Sequence, residues 1–301
     1  MPSLPRPLAQ ALPIELGVHL EARGGASPRV DARLAGRWLE VSRVGTCGDA
    51  RPSFGAELAF DGTRANVTST LRDAGGEARL EASASIPWRT WLRDGFVVPT
   101  VDATLRSEAL ALARLPYACE SLSGIARVDV SATGILGDAP NVRANVDLRE
   151  LRTRESPVVD ARIAAEVDAR SGRVDVAMID RATRRTSVAI DGAWDWTWSG
   201  IDAPNLDDAA WHASARFDDA AIAPLVAMVP QLAEPSGAID GTLRASGRGF
   251  ESTPDVSGSV TLRDVGLTLR DPFVRVSRVQ GGIALRDGAV VIDGLRYRDL
   301  D

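Results

Sequence analysis

The 301-residue sequence contains no lysine, so all 35 of its basic residues are arginine. That absence excludes a Schiff-base lysine and a P-loop lysine. Histidine is scarce as well: His19 and His212 are the only two, which leaves little acid–base chemistry near neutral pH. The sequence therefore reads as a non-enzyme without a cofactor. Two cysteines, Cys47 and Cys119, lie far apart with no CxxC or Cys/His cluster, so no zinc site is expected. They are either a disulfide in an oxidising compartment or two separate thiols.

Long apolar runs are missing too. Nothing approaches the roughly 20 residues of a membrane span, and the start, MPSLPRPLAQALPIELGV, has no signal-peptide core. The first strand-like pattern begins almost at once and the last stops in mid-pattern, so the sequence reads as a piece of something longer. Thirty-five basic against 41 acidic residues give a formal charge of −6, which argues against nucleic-acid binding. With 45% hydrophobic and 25% charged residues the chain is ordered rather than disordered.

What is present is period-two alternation. Leu16, Val18 and Leu20 alternate with polar neighbours, as do Val142, Val146 and Leu148, then Val174, Val176 and Met178, then Leu267 and Leu269, then Ile283 and Leu285. Short runs of this kind mark half-buried strands. Asp61-Gly62, Gly75-Gly76, Asp287-Gly288 and Asp293-Gly294 supply turn residues, so antiparallel meanders are expected. Three segments, 86–94, 107–115 and 218–229, carry Ala, Leu or Trp at helical spacing near proline and predict short helices.

A longer period lies over the local one. Leu122-Ser123-Gly124-Ile125, Gly134, Ala139-Pro140-Asn141-Val142 and Asp147-Leu148-Arg149-Glu150-Leu151 recur as Pro235-Ser236-Gly237-Ala238-Ile239, Gly247, Thr253-Pro254-Asp255-Val256 and Thr261-Leu262-Arg263-Asp264-Val265. Gly124 and Gly237 stand 113 residues apart, and Pro140 and Pro254 stand 114 apart. A fainter copy runs from Gly17-Val18-His19-Leu20 to Val30. Repeats on this scale predict stacked units sharing one sheet: a partial unit over 1–100, a unit over 101–210 that begins with a short helix, and a partial unit over 211–301.

The succession Ser246-Gly247, Thr253-Pro254-Asp255-Val256-Ser257-Gly258, the strand 259–267 and Val279-Gln280-Gly281-Gly282-Ile283-Ala284-Leu285-Arg286-Asp287-Gly288 resembles the periplasmic TamB proteins of the AsmA-like group. The resemblance is best over about residues 101–301. It implies an interior segment of a periplasmic protein, inner-membrane-anchored by a part not present here. The implied fold is mainly β, an elongated, curled antiparallel sheet, taco-like in section, with an apolar groove and a few short helices. The implied function is shielding of phospholipid acyl chains in transport between the inner and outer membranes, support of outer-membrane protein assembly, or both. A barrel of the TamA/BamA type would be the outer-membrane partner, again through regions missing here.

Trp194-Asp195-Trp196-Thr197-Trp198 is the most pointed local feature: in a strand its three indoles face one side. They and Trp211, Leu243, Val260, Leu262, Ile283 and Leu285 are the candidate groove residues; a packed core patch or a wet surface is the alternative for the indoles. Trp211, Ala213, Ala215 and Phe217 form a further alternating set. Acidic pairs such as Asp207-Asp208 and Asp218-Asp219 read as turn and helix-start residues that hold backbone N–H groups, not as acid–base or metal groups. The alternative function is a structural or adhesive β-repeat that binds protein and no lipid. A carbohydrate-active enzyme would need two carboxylates about 5–10 Å apart in a cleft, for which the sequence gives no sign.

Overall fold

The computed structural model describes residues 14–25, 28–38, 53–73, 76–95, 98–114, 122–137, 139–153, 158–181, 183–198, 206–226, 232–249, 253–270, 273–286 and 288–298. Cys47 and Cys119, and with them the disulfide reading, lie outside these residues.

Among the described residues, sixteen strands make one sheet in which every strand pairs, antiparallel, with the next in sequence. They are β1 Ile14–Arg23, β2 Arg29–Trp38, β3 Ser53–Phe60, β4 Arg64–Asp73, β5 Gly76–Ser85, β6 Val101–Ala111, β7 Leu122–Ile135 and β8 Asn141–Thr153. The series continues with β9 Val159–Asp168, β10 Ser171–Asp180, β11 Thr186–Asp195, β12 Ala210–Ala221, β13 Leu232–Arg248, β14 Asp255–Arg270, β15 Phe273–Arg286 and β16 Ala289–Arg298. The sheet is open rather than closed into a barrel, and its described strands from 1–100, 101–210 and 211–301 all belong to it. Fifteen steps of about 4.8 Å carry it roughly 70 Å along the hydrogen-bonding direction, and strand twist curls it along the way.

Helix is confined, among the described residues, to α1 Trp88–Asp94, α2 Ile222–Val226 and a 3₁₀ turn at Leu112–Arg114. The first agrees with the helix expected over 86–94: Pro87 precedes it and its carbonyl accepts from Trp91 N–H at 3.0 Å. The other two expectations need correction. Residues 107–111 continue strand β6 and 112–114 make the 3₁₀ turn, residue 115 lying outside the described residues; residues 218–221 continue β12 and the helix runs over Ile222–Val226, residues 227–229 lying outside them. A bulge misleads in each case. The register slips between Ser107 and Leu110 and between Phe217 and Ala220, which breaks the period of two and imitates a helical spacing. Pairing with two neighbouring strands then overrides the local Ala/Leu preference. Asp218-Asp219 is accordingly a strand bulge and no helix start. Asp293-Gly294, expected as a turn, lies inside β16, where Gly294 at φ 59° serves a bulge against β15. The unit over 101–210 thus opens with a strand.

The 113–114-residue spacing reappears as matched irregularities. Gly124 and Gly237 sit at register shifts near the starts of β7 and β13. Glu150 and Asp264 are left-handed bulge residues, at φ 56° and 49°, in β8 and β14. Such bulges bend the strand and sharpen its twist.

Most of the buried apolar side chains among the described residues gather at the bulged end of the strands. Val188, Ala220, Ile239, Val265 and Val279 form one cluster, with Met178, Phe217 and the α2 residues Ile222 and Leu225 packed on it. Leu112, Ala126, Val159 and Ala161 are buried at the same end of the preceding strands.

Candidate lipid groove

Register shows which residues share a face, because directly paired residues in an antiparallel ladder point the same way. One rung runs Val18, Leu34, Ala56, Ser69, Leu80, Leu105, Val130, Ala144, Ala165, Val174, Gly192, Ala213, Ala245, Val256 across fourteen strands. All but Ser69 are apolar or glycine. One residue further along each strand runs His19, Arg33, Glu57, Thr68, Glu81, Thr104, Ser131, Arg143, Glu166, Arg173, Ala193, His212, Ser246, Asp255, in which only Ala193 is apolar. The sheet therefore has a greasy face and a charged face along nearly its whole length.

Cross-strand ion pairs decorate the charged face: Arg143 with Glu166 at 2.8 Å, Arg162 with Asp147 at 2.9 Å, Arg33 with Glu57 at 3.4 Å. Both histidines stand on this face, exposed. Acids at turns hold backbone. The Asp168 carboxylate accepts from the N–H groups of Arg170 (2.7 Å) and Ser171 (2.8 Å), and these bonds lower its pKa. Asp61 does the same with Arg64 and Thr63. At the bulges, Asp219 N–H donates to Asp240 Oδ1 at 2.7 Å, and Arg263 bridges the carboxylates of Asp219 and Asp240. Among the described residues no group of three His, Cys, Asp or Glu is placed to hold a metal ion.

The greasy face collects the expected groove residues. Leu243 shares a rung with Val176, Ile190, Ala215, Gly258, Leu285 and Val290; Val260 shares the next with Met178, Val188, Phe217, Gly241, Ile283 and Ile292. Leu262 follows, paired with Ile239 and Gly281. All five candidate aliphatics are half-buried; Leu262 packs on the buried cluster together with Ile222 and Leu225 of α2, and the described residues hold no other helix besides α1 and the 3₁₀ turn to cover the rest.

Tryptophans stand at the end of the strands opposite the bulges. Trp194 and Trp211 are direct partners on β11 and β12, and their outer partners on β10 and β13 are Gly172 and Gly247. The Trp194 indole occupies the space a side chain at 172 would need, and a Cβ on Gly247 would lie 3.0 Å from the Trp211 ring. Each indole thus leans outward over a glycine. Past the end of β11 the row continues edge to face: Trp194 to Trp196 with centroids 5.6 Å apart, Trp196 to Trp198 6.2 Å apart. The backbone stays extended there because Trp196 N–H donates to Arg170 O and Trp198 N–H to Ala169 O. Trp196 Nε1–H donates to Asp168 O and Trp211 Nε1–H to Gly249 O, each at 2.9 Å. Trp194 Nε1 is buried without an acceptor among the described residues. Asp195 and Thr197 are exposed.

The two cradling glycines were not among the expected site residues. A glycine within an alternating strand, opposite tryptophan, is the signal that marks them. Ile190, Val176, Leu105 and Val130 also belong to the face and carry no local mark beyond alternation. No protein-family model, no curated protein and no solved structure matches this chain.

Proposed function

We propose that this chain is a lipid-shielding segment of a TamB-like periplasmic protein of the AsmA-like group. Its greasy face covers phospholipid acyl chains as they pass between the inner and outer membranes, or supports assembly of outer-membrane proteins. The observation that carries this reading is the apolar rung that crosses fourteen strands and stays half-exposed. A sheet with one apolar face must bury it, and this one has only two short helices and a 3₁₀ turn, among the described residues, to do so. Large uncovered apolar surface marks a binding face. Acyl chains suit a surface of Val, Leu, Ile, Ala and Gly that offers almost no hydrogen-bonding groups. Each methylene removed from water contributes about 0.8 kcal/mol, so half-shielding a lipid tail gains several kcal/mol. No catalytic residue is required: a continuous apolar path suffices. An inner-membrane anchor and an outer-membrane barrel of the TamA/BamA type would be supplied from outside these residues; no described helix is long and apolar enough to cross a membrane.

Native mass spectrometry of the chain expressed in a bacterial periplasm tests this. Phospholipid carried through purification, and reduced in a folded Trp194→Asp/Trp196→Asp/Trp198→Asp variant, is the expected result. A folded, lipid-free wild-type chain would transfer the reading to a structural or adhesive β-repeat.

A further inference from the structure

Two bulges inside the sheet, in β8 and β12, are built alike. In β8 the step from Leu148 to Leu151 spans three residues, while the facing step in β9, Ala161 to Val159, spans two. In β12 the step from Phe217 to Ala220 spans three, against two from Gly241 to Ile239 in β13. The extra residue keeps Leu151 and Ala220 on the greasy face, where unbroken alternation would turn both to the charged one. Ala220 is fully buried there. The last residue of each bulge, Glu150 or Asp219, is acidic, lies in the left-handed region and has no ladder partner in the next strand. Glycine would suit that backbone better, so a carboxylate there points to work done by the side chain.

The same side chains close on both bulges. An aspartate faces each from the next strand: Asp160 Oδ1 accepts from Glu150 N–H at 2.8 Å, and Asp240 Oδ1 accepts from Asp219 N–H at 2.7 Å. An arginine follows one strand further on, two residues beyond the aspartate's direct partner, which is Ile179 or Thr261. Arg181 reaches Glu150 Oε1 at 3.2 Å and Asp160 Oδ2 at 3.8 Å; Arg263 reaches Asp219 Oδ1 at 2.5 Å and Asp240 Oδ2 at 2.6 Å. We propose that this three-strand clasp is the device that sets the phase of the sheet. The aspartate gives the bulge N–H the acceptor that the ladder withholds, and the arginine offsets the repulsion of the two carboxylates. The bulge is thereby pinned to one residue, and the apolar side chains beyond it return to the greasy face. A third bulge carries a variant: Asp264 in β14 meets Gln280 of β15, which stands where Asp160 and Asp240 stand in the others.

Hydrogen exchange resolved to single amides, on the full 301-residue chain, tests the proposal. In wild type the Glu150 and Asp219 amides are protected like their ladder neighbours; free exchange at both overturns the proposal without any variant. Asp160→Ala speeds exchange at Glu150 about tenfold or more and leaves Asp219 unchanged, and Asp240→Ala does the reverse. Asp240→Asn keeps an acceptor oxygen, so its Asp219 amide stays within about threefold of wild type. The clasp side chains all keep contact with water, so these variants fold, which circular dichroism certifies. No acceleration in the alanine variants, equal acceleration at both bulges as general destabilisation gives, or an Asp240→Asn amide as fast as that of Asp240→Ala overturns it. The result does not depend on lipid, so loss of the groove reading would leave it standing.

Discussion

Trp194 rests on Gly172, its direct partner across the β10–β11 ladder, with the indole filling the volume that any side chain at 172 would take. The backbone of Gly172 is not in the left-handed region, so the demand for glycine there is steric alone. Gly172→Ala is expected to displace the indole, costing about 1–3 kcal/mol as overpacking does, and to weaken the near-ultraviolet dichroism of the edge-to-face row. Gly247→Ala, where the Trp211 ring stands 3.0 Å from the added carbon, costs less. Urea denaturation of both variants checks the order.

Stability concentrates at the bulged end. Val188 is 1% exposed within the packed cluster, and Val188→Ala is expected to cost about 2 kcal/mol. Val18→Ala, at a position 69% exposed, changes stability by less than about 0.5 kcal/mol. Thermal unfolding separates the two, and amide exchange is slowest around Val188, Ala220 and Ile239.

Asp168 ties pH to the β9–β10 turn against which Trp196 and Trp198 are held. Its carboxylate titrates below the ordinary value because the Arg170 and Ser171 N–H groups hold the charged form. A depressed folded pKa contributes stability that is present above the unfolded value, about 4, and lost as pH falls through the folded value. Asp168→Asn therefore unfolds at lower temperature than wild type at neutral pH, and the gap closes in acid below the carboxylate range. A gap that persists unchanged in acid contradicts the assignment.

Ion pairs on the charged face contribute little. Arg143 and Glu166 are 64% and 56% exposed, so Arg143→Ala is expected to shift stability by less than about 1 kcal/mol and to leave bound lipid unchanged. Chemical denaturation and lipid extraction read the two effects.

The alternation of Val174-Asp175-Val176 or Trp211-His212-Ala213 made the strands legible from residues alone, while which strand face would line a groove was not. The segments 107–115 and 218–229 were not legible, because a bulge inserts one residue and shifts the period just where Ala and Leu accumulate. Asp293-Gly294 misled for a related reason: a left-handed glycine suits a bulge as well as a turn. The indoles of Trp194, Trp196 and Trp198 share a side as their spacing implied, yet strand β11 ends at Asp195 and backbone bonds to Ala169 and Arg170 keep the last two in line. Gly172 and Gly247 became meaningful only once register placed them beside tryptophan.

The proposed function requires one face of this sheet to meet lipid and the other not. Ile190 and Asp191 are adjacent in sequence and stand on opposite faces of β11. A photoreactive amino acid placed at each, in cells, tests the claim most directly: the account predicts a phospholipid adduct from position 190 and none from 191. Equal labelling at both positions, or none at 190 in a folded protein, would contradict it.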